Sequence, residues 1–378
     1  MRDMRIGILT LPLHTNYGGI LQAYALQTVL ERMGNNVLLI EKRNKPYYLP
    51  LLKAPFVYGK RLWKKIKGDN TTIFLEQKQL REEPIIRQYT DKFIKKYIKR
   101  KIVNDFSDLD ENDFDAIVVG SDQIWRIGYL NDKIECAYLS FTEGWNVKRI
   151  AFSASFGIDK WTYTKHQTIE CGKLLTKFDF ISVRETAAIN LCRNFLGVEA
   201  KQTLDPTLLL TSADYERLFL TETPRSKGNL LCYFLDETSE KLAIADEIAA
   251  MNNLSPFRVN SKVEDRKAPL DERIQPPVEQ WLRGFYDAEC VVTDSFHACV
   301  FSIIFRKHFW VVGNKERGLS RITSLLEQFE LNERLIKSIS DLKLCNDIDW
   351  DKVISLLDNK KSDSYEFLLN ALKSHDDK

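Results

Sequence analysis

The sequence predicts an α/β protein built from two Rossmann-like lobes that face each other across a cleft. The chain has 378 residues, which suits two domains better than one. Its residues are 44% hydrophobic and 29% charged, which supplies two cores and argues against general disorder. Short apolar runs alternate with segments of helical spacing, a pattern typical of parallel sheets covered on both faces. We expect functional residues where the strands end, because open parallel sheets bind ligands at their carboxyl edge.

The amino-terminal lobe is predicted to span residues 1–205. Its first part reads as a βαβ unit, because a helically spaced stretch separates two apolar runs. Three later apolar runs extend the same sheet. The predicted strands are Arg5–Thr10, Asn36–Glu41, Asp115–Gly120, Arg149–Ser153 and Phe178–Val183, with the first helix at Gly18–Met33.

The carboxyl-terminal lobe is predicted to span residues 206–345. Pro206 marks the crossing between the lobes, because proline cannot donate a hydrogen bond to a strand ladder. In residues 346–378 we expect two helices, between Asp349 and Leu372, that pack back on the first lobe. The predicted strands of the second lobe are Asn229–Leu235, Phe257–Asn260, Cys290–Asp294 and Phe309–Val312.

A basic, largely helical insertion is predicted at residues 42–101. It carries 18 Lys and Arg against 5 Asp and Glu, although the net charge of the whole chain is only +2. Residues 42–67 contain nine basic residues, no acidic residue and five interleaved aromatic residues. This pattern is compatible with docking on an anionic membrane surface, and equally with a solvated insertion whose aromatic residues pack on the lobe below. Nucleic acid is not an expected partner, because no recognition module with a sequence signature is present.

The cysteines and the first uncharged stretch indicate the compartment. The chain has seven cysteines, no two within three positions of each other, so neither a zinc knuckle nor a redox pair can be drawn. Residues 6–30 carry no Asp, Glu, Lys or Arg, but Pro12, His14, Asn16, Gly18 and Gly19 break this stretch into strand, loop and helix. We therefore expect a cytoplasmic protein without an export signal, peripheral at the inner face of the membrane if the basic segment docks there.

Two junctions in the first lobe carry candidate acceptor-binding residues. Asn16, Gly18 and Gly19 follow the first strand, where glycines let the backbone approach a ligand, or form a plain tight turn. Ser121, Asp122 and Trp125 follow another strand, and polar groups beside an aromatic face suit a sugar. Asp122 is alternatively a helix cap.

Arg184 stands at the end of a predicted strand. An arginine there suits bidentate capture of a carboxylate or phosphate. The alternative is an ion pair with Glu185 or another carboxylate.

Two junctions in the second lobe add candidate anion ligands. His297 is predicted in the first turn of a helix that Asp294 or Ser295 caps. The positive end of the helix dipole disfavours a charged imidazole there unless an anion binds beside it; a histidine hydrogen-bonded within the interface is the alternative. Lys315, Arg317 and Arg321 fall within seven residues after the following strand, where they form either an anion clamp or a solvated basic loop.

Five motifs together resemble the polysaccharide pyruvyl transferase family, in the same order and over about residues 5–335. Ala298 departs from the glycine that is often found at this position in the family. The motifs are Asn16-Tyr17-Gly18-Gly19, Gly120-Ser121-Asp122-Gln123-Ile124-Trp125, Ser182-Val183-Arg184-Glu185, Asp205-Pro206-Thr207 and Thr293-Asp294-Ser295-Phe296-His297.

The resemblance implies a GT-B-like fold, phosphoenolpyruvate as donor and two hydroxyls of a sugar as acceptor, giving a cyclic ketal and phosphate. It further implies that Arg184 and His297 hold the donor, together with a basic residue about twenty positions later, which is Arg317 or Lys315. Ser295 is added as a donor-binding residue, and Arg184 and His297 are the predicted catalytic pair. We expect a lipid-linked or polymeric acceptor of capsule or envelope polysaccharide assembly, and no metal or other cofactor.

Two other functions remain open at this stage. A GT-B glycosyltransferase that uses a nucleotide sugar would have two similar lobes. A non-catalytic partner that binds a sugar or a membrane would bind the acceptor without releasing phosphate from phosphoenolpyruvate.

Overall fold

The computed structural model describes residues 3–43, 49–50, 52–69, 71–313, 318–344 and 347–373. In these residues the chain forms two parallel sheets, each with helices on its faces, as the sequence predicts. The strands are β1 Arg5–Leu9, β2 Asn36–Lys42, β3 Arg100–Val103, β4 Ala116–Val119, β5 Lys148–Ala154, β6 Phe180–Val183, β7 Lys201–Gln202, β8 Leu230–Tyr233, β9 Pro256–Phe257, β10 Cys290–Thr293, β11 His308–Val312 and β12 Leu335–Ile336.

The helices surround both sheets and connect their strands. They are α1 Tyr17–Arg32, α2 Ala54–Ile66, α3 Leu75–Ile86, α4 Gln88–Tyr97, α5 Lys165–Leu175, α6 Thr186–Leu191, α7 Ser212–Phe219, α8 Ser239–Asn252, α9 Leu270–Arg273, α10 Val278–Asp287, α11 Phe296–Ile304, α12 Leu319–Gln328 and α13 Trp350–Leu372.

Each sheet has one point where the strand order reverses. The amino-terminal sheet has the order β3-β2-β1-β4-β5-β6-β7, so the chain winds outward in both directions from the β1–β4 pair. The carboxyl-terminal sheet has the order β12-β11-β10-β8-β9 and reverses between β10 and β8. Every strand pair is parallel, and the central strands β4, β8 and β10 are buried throughout. At such a reversal the connections that follow the two neighbouring strands leave on opposite sides of the sheet, which opens a crevice beyond the carboxyl ends of the strands.

The two lobes share a hydrophobic core at α1. The Tyr17 ring stacks on Trp281 of α10 with ring centroids 5.4 Å apart, and its hydroxyl donates a 2.7 Å hydrogen bond to the carbonyl of Pro276. The amide of Gln275 donates to the carbonyl of Thr15 at 3.0 Å. These contacts fix the start of α1, which carries the first candidate site residues, against the second lobe.

The carboxyl-terminal segment forms one helix where the sequence predicted two. Buried residues recur at helical spacing along α13, at Val353, Leu357, Ser364 and Leu368, so one continuous helix packs its apolar side inward. The helix packs on the first lobe: Phe367 contacts Phe152, and the hydroxyl of Ser364 accepts a hydrogen bond from the backbone of Leu204.

The basic insertion contains α2, α3 and α4. α3 and α4 each bury residues against the protein, whereas α2 buries none. The aromatic residues of α2 fall into two groups: Tyr58 packs on Phe74, whereas Phe56 and Trp63 are exposed. In the described ranges, no helix combines the length and apolar character needed to cross a membrane.

Candidate functional site

A cavity of about 970 Å³ lies between the lobes, at the carboxyl ends of both sheets. Its first-lobe wall includes Asn16 and Gly18 at the start of α1, and Asp122 after β4. Its second-lobe wall includes the loop after β8, and Ser295 and His297 after β10. The cavity therefore occupies both strand-order reversals at once, where ligands of open α/β sheets bind.

The start of α1 is shaped to receive the imidazole of His297. Asn16 caps the helix, its side chain accepting a hydrogen bond from the backbone N–H of Gly19 at 3.3 Å. A Cβ on Gly18 would lie 2.0 Å from Nδ1 of His297 and 2.3 Å from its Cγ. Glycine is required at position 18 because the imidazole from the opposite lobe occupies the space of a side chain.

His297 is the second residue of α11 and is buried at the cavity wall. Ser295 caps the helix by accepting a hydrogen bond from the N–H of Ala298. Asp294, the other predicted cap, instead pairs with Lys241 at 2.6 Å and accepts from the N–H of Leu235. With Nδ1 against Gly18 and Nε2 3.6 Å from Oδ2 of Asp205, the ring is held by both lobes.

Asp205 is a buried carboxylate to which several strand ends converge. Its Oδ2 accepts hydrogen bonds from the guanidinium of Arg184 at 2.8 Å and the hydroxyl of Ser121 at 3.2 Å. Its Oδ1 accepts from the N–H and hydroxyl of Thr207. Burial alone would raise the pKa of Asp205, but His297, Arg184 and Thr207 outweigh burial and hold it well below its ordinary value. Asp205 is thus a fixed negative charge beside the imidazole.

Arg184 lies in the wall behind the cavity rather than on its surface. It is 3% exposed and pairs with Asp205, with carboxylate oxygens of Asp122 and Glu185 at 3.6 and 3.8 Å. Burial would lower the pKa of Arg184, but these three carboxylates together raise it. Among the described residues, none accepts a hydrogen bond from its Nε or Nη2. In this structure Arg184 is therefore an ion-paired residue, which is the alternative that the sequence left open. Its Nε and Nη2 can still donate hydrogen bonds to a ligand.

Arg321 is one of the three cations of the predicted anion clamp, and it lies within the described residues. It belongs to α12, is 8% exposed and lines the cavity. Burial and the charge of Arg184 lower its pKa to about 10, against the opposing effect of Asp122 and Glu185. Both guanidinium groups lie near the ring of Phe296: that of Arg184 is 4.4 Å from the ring centroid, and that of Arg321 is 5.9 Å from it. The sequence analysis grouped Arg321 with Lys315 and Arg317 but did not count it among the donor ligands.

The predicted acceptor-binding residues separate into two groups. Asn16, Gly18 and Asp122 line the main cavity, and Gly19 lines an adjoining cavity of about 190 Å³ that shares Asn16 and Asp122 with it. Asp122 lies in a turn with φ of 56° and caps no helix. Ser121 and Trp125 have no exposed surface.

Trp125 and Ser121 are core residues because their side chains turn away from the cavity. The indole of Trp125 stacks on Tyr138 at 5.1 Å and donates to the carbonyl of Ala137. The hydroxyl of Ser121 is directed to Asp205 and to the carbonyl of Ser153. Instead, the cavity wall presents Gln123, Arg126 and Tyr129, with the Arg126 guanidinium 4.7 Å from the Tyr129 ring centroid.

Lys315 and Arg317 lie outside the described residues. Their predicted contact with the donor stays a prediction. Within the described residues, no group of three or more His, Cys, Asp and Glu side chains is arranged to hold a metal ion.

Comparison with known proteins identifies the family. The model of the family described as polysaccharide pyruvyl transferase matches residues 16–316, which includes the start of α1, Arg184, Asp205 and His297. The chain belongs to this family. It is therefore a transferase that acts in polysaccharide biosynthesis, and its acceptor is a sugar or polysaccharide. No curated protein matches the sequence.

Several solved structures are similar to this pyruvyl transferase over nearly their whole length. UGT89C1 of Arabidopsis thaliana complexed with UDP-L-rhamnose has 10% identity and a TM-score of 0.47, covering 98% of this chain and 99% of that one. The UDP-GlcNAc 2-epimerase of Neisseria meningitidis also has 10% identity and a TM-score of 0.47, covering 97% and 99%. The UDP-GlcNAc 2-epimerase of Methanocaldococcus jannaschii has 14% identity and a TM-score of 0.45, covering 94% and 92%. The two facing lobes of this chain have the GT-B-like arrangement that the sequence predicts.

The contact between Gly18 and His297 predicts a strong coupling between these two positions. Gly18→Ala should destabilise the protein by about 1–3 kcal/mol, because the new methyl group overpacks against the imidazole. In a His297→Ala background the same substitution should cost much less, since the ring is gone. Urea unfolding of the four proteins in this double-mutant cycle measures the coupling.

Gly19→Ala is the matched control, because a Cβ there meets its nearest heavy atom at 3.5 Å, an ordinary contact distance. It should be neutral or slightly stabilising within the helix. Equal destabilisation by Gly18→Ala with and without the ring would mean that the imidazole does not occupy this place.

The position of Arg184 predicts a structural effect of its removal. Arg184→Ala leaves buried Asp205 without its closest cation and should lower the free energy of unfolding by about 3–5 kcal/mol. Arg193→Ala, which breaks the exposed pair with Glu199, should change stability little. Denaturant unfolding of both variants checks this. If they are equally stable, Arg184 does not balance the charge of this wall.

Proposed function

We propose that this protein transfers a pyruvyl group from phosphoenolpyruvate to two hydroxyls of one sugar, forming a cyclic ketal and releasing phosphate. One observation carries the proposal: in a cavity at both strand-order reversals, His297 beside Asp205 faces the same space as the buried cation Arg321. Family membership supports the class of reaction. Proton transfer and anion binding, the two functions that the reaction requires, are thus combined in one cleft.

The chemistry requires an acid and several cations. Protonation of C3 of phosphoenolpyruvate makes C2 electrophilic, and one sugar oxygen then forms a bond to C2 and loses its proton. The bond between C2 and the phosphate oxygen then breaks and phosphate leaves, while the second sugar oxygen bonds to C2 and loses its proton. Of the two hydroxyl protons released, one replaces the proton delivered to C3 and the other leaves with the phosphate. Positive charge near the donor stabilises its carboxylate and the departing phosphate.

We assign these tasks to groups on the cavity wall. His297 is the proposed acid, held by the Asp205 carboxylate on one side and by Gly18 on the other. Arg321 is the proposed anion ligand on the wall, and Arg184 supports it from behind with its remaining hydrogen-bonding capacity. Lys315 and Arg317 remain proposed donor ligands from the neighbouring loop. The proposal involves no metal and no organic cofactor, because side chains supply the proton and the charge.

The size of the cleft favours a large acceptor. A cavity of about 970 Å³ exceeds what a three-carbon phosphate ester fills, so a sugar ring fits beside the donor. The adjoining cavity at Asn16 and Gly19 shares Leu11, Leu13 and Asn131 with a further cavity of about 390 Å³ that reaches Lys42. These cavities follow the edge of the first sheet, as a lipid-linked or polymer-bound glycan would. We therefore propose a cytoplasmic role in capsule or envelope polysaccharide assembly, at the inner face of the membrane.

The direct test is incubation with phosphoenolpyruvate and a panel of lipid-linked mono- and disaccharides. Phosphate release together with an acceptor that has gained a pyruvyl ketal by mass spectrometry is the expected result. Calorimetry with uridine and guanosine nucleotide sugars addresses the rival glycosyltransferase. Nucleotide-sugar binding and sugar transfer without phosphate release from phosphoenolpyruvate would establish that rival, whereas acceptor binding with neither reaction would indicate a non-catalytic partner.

His297→Asn separates proton transfer from simple binding. Asparagine keeps a hydrogen-bond donor but delivers no proton near neutral pH, so turnover should fall by about 10²- to 10⁴-fold while donor affinity changes only a few fold. Steady-state phosphate release and calorimetry measure the two quantities. His166→Asn, at an exposed histidine, is the control and should leave both unchanged. Near wild-type turnover in His297→Asn would exclude a catalytic role.

Arg321→Gln tests the proposed anion contact. Loss of a charge-assisted hydrogen bond from a buried arginine should weaken phosphoenolpyruvate binding by about 10- to 100-fold. Arg225→Gln, at an exposed arginine, should have no effect. Calorimetric titration of both folded variants gives the answer, and wild-type affinity in Arg321→Gln would place the donor elsewhere in the cleft.

A further inference from the structure

Helix α2 presents its apolar side to solvent. Leu52, two residues before the helix, is 88% exposed, and within the helix Phe56 is 82%, Ile66 75% and Trp63 57% exposed; Leu62 is also exposed. A helix advances about 100° per residue, so these five side chains lie within about 120° of one another on one face. We call these five residues the apolar stripe. Such an exposed set on one helix face marks an interaction surface.

Four lysines border the apolar stripe. Lys53, Lys60, Lys64 and Lys67 follow one edge of it at helical spacing and are all exposed. The Nζ of Lys67 lies 3.6 Å from the ring centroid of Trp63. Among the described residues, none forms a salt bridge with these four lysines, and the segment 42–67 contains no acidic residue. The surface is therefore apolar in its middle and cationic at its edge.

The opposite side of α2 is held by specific contacts that keep the stripe outward. The guanidinium of Arg61 donates to both carboxylate oxygens of Glu76 at 2.8 Å and to the carbonyl of Ile73 at 3.0 Å. The Tyr58 ring meets Phe74 edge-on with centroids 5.0 Å apart. An ordinary surface helix turns its apolar face to the core, whereas α2 does the reverse.

We propose that α2 is an interfacial helix that docks the protein on an anionic lipid bilayer. The apolar stripe would enter the boundary between headgroups and acyl chains, and the lysines would contact anionic headgroups at the same depth. The four lysines favour a lipid surface over a second copy of this chain as the partner of the apolar stripe. A second copy would place its own four lysines against the first four, and like charges repel. A lipid surface offers both the apolar layer and the negative charge.

The docking helix is connected to the cleft through α3. Arg61 holds α2 at Glu76, and seven residues further along α3 Glu83 contacts His14 at 3.2 Å, beside the smaller cavity. Seven residues of helix span about 10 Å. A bilayer at α2 would thus lie close to the end of the cleft where we place the acceptor. Only this last step rests on the proposed function.

The experiment is cosedimentation of the full-length protein with vesicles that contain no sugar. The wild type should bind vesicles of phosphatidylglycerol and phosphatidylcholine, bind phosphatidylcholine alone much more weakly, and release at high salt. A variant with Gln at Lys53, Lys60, Lys64 and Lys67 should bind about 10²- to 10³-fold more weakly, at about fivefold per lysine. A variant with Ser at Phe56, Trp63 and Ile66 should also be released. Arg61 is left intact because it anchors α2.

A charge-matched control separates a local surface from overall charge. Gln at Lys160, Lys165, Lys201 and Lys227, which are exposed elsewhere, removes the same four charges and should leave vesicle binding unchanged. Because α2 buries no residue, all variants should fold, and circular dichroism verifies this. Equal loss in the two lysine variants, or equal binding to neutral and anionic vesicles, would overturn the proposal.

Two further measurements separate membrane docking from self-association and from an effect on catalysis. Sedimentation velocity without lipid tests whether the stripe joins two copies: self-association that the Ser variant abolishes, without vesicle binding, would overturn membrane docking. Phosphate release with a soluble acceptor should be the same in the lysine variant and the wild type. Since the vesicle assay contains neither donor nor acceptor, failure of the pyruvyl transfer proposal would leave its result unaffected.

Discussion

The buried carboxylate of Asp205 is the interaction on which the geometry of the cleft depends. It stands just after β7, where the chain leaves the first sheet, and it binds Ser121 from the end of β4, Arg184 from the end of β6 and Thr207 from its own turn. His297 from the second sheet faces the same oxygen. A buried ion costs several kcal/mol unless it is fully compensated, so these partners are constrained together. The ends of three first-lobe strands and one second-lobe helix are thereby brought to one point.

Backbone topology places this point where ligands bind. The amino-terminal sheet reverses its strand order between β1 and β4, and the carboxyl-terminal sheet between β10 and β8. Each reversal opens a crevice, and the stacking of Tyr17 on Trp281 sets the two crevices face to face. Gly18 then allows α1 to approach closely enough for the imidazole to lie against its backbone. The walls of the cleft therefore come from both lobes.

The sequence predicted the fold well because the central strands are buried on both faces and read as continuous apolar runs, as at β4 and β10. The short strands β3, β7 and β12 were not predicted, since two to four residues at a sheet edge carry little apolar pattern. Periodicity could place Trp125 after a strand but not give the direction of its side chain, and the indole points into the core. Asp205 was recognised as part of a family motif but given no role, because its partners are distant in sequence. Arg321 was grouped with the cations of the loop but not assigned to the donor, because its place in the cavity wall depends on how α12 packs over the cavity.

Two arginines lie near the ring of Phe296 and differ in their charge environment. Arg184 is surrounded by three carboxylates, which raise its pKa despite burial. Arg321, near the same ring, has its pKa lowered to about 10 by burial and by Arg184, against the opposing effect of Asp122 and Glu185. Under the proposed function, a donor anion bound in the cavity would stabilise the charged form of Arg321 against both effects. The wall thus holds Arg184, which is paired with the protein's own carboxylate Asp205, and Arg321, which lines the cavity and is the arginine that the proposal assigns to the donor.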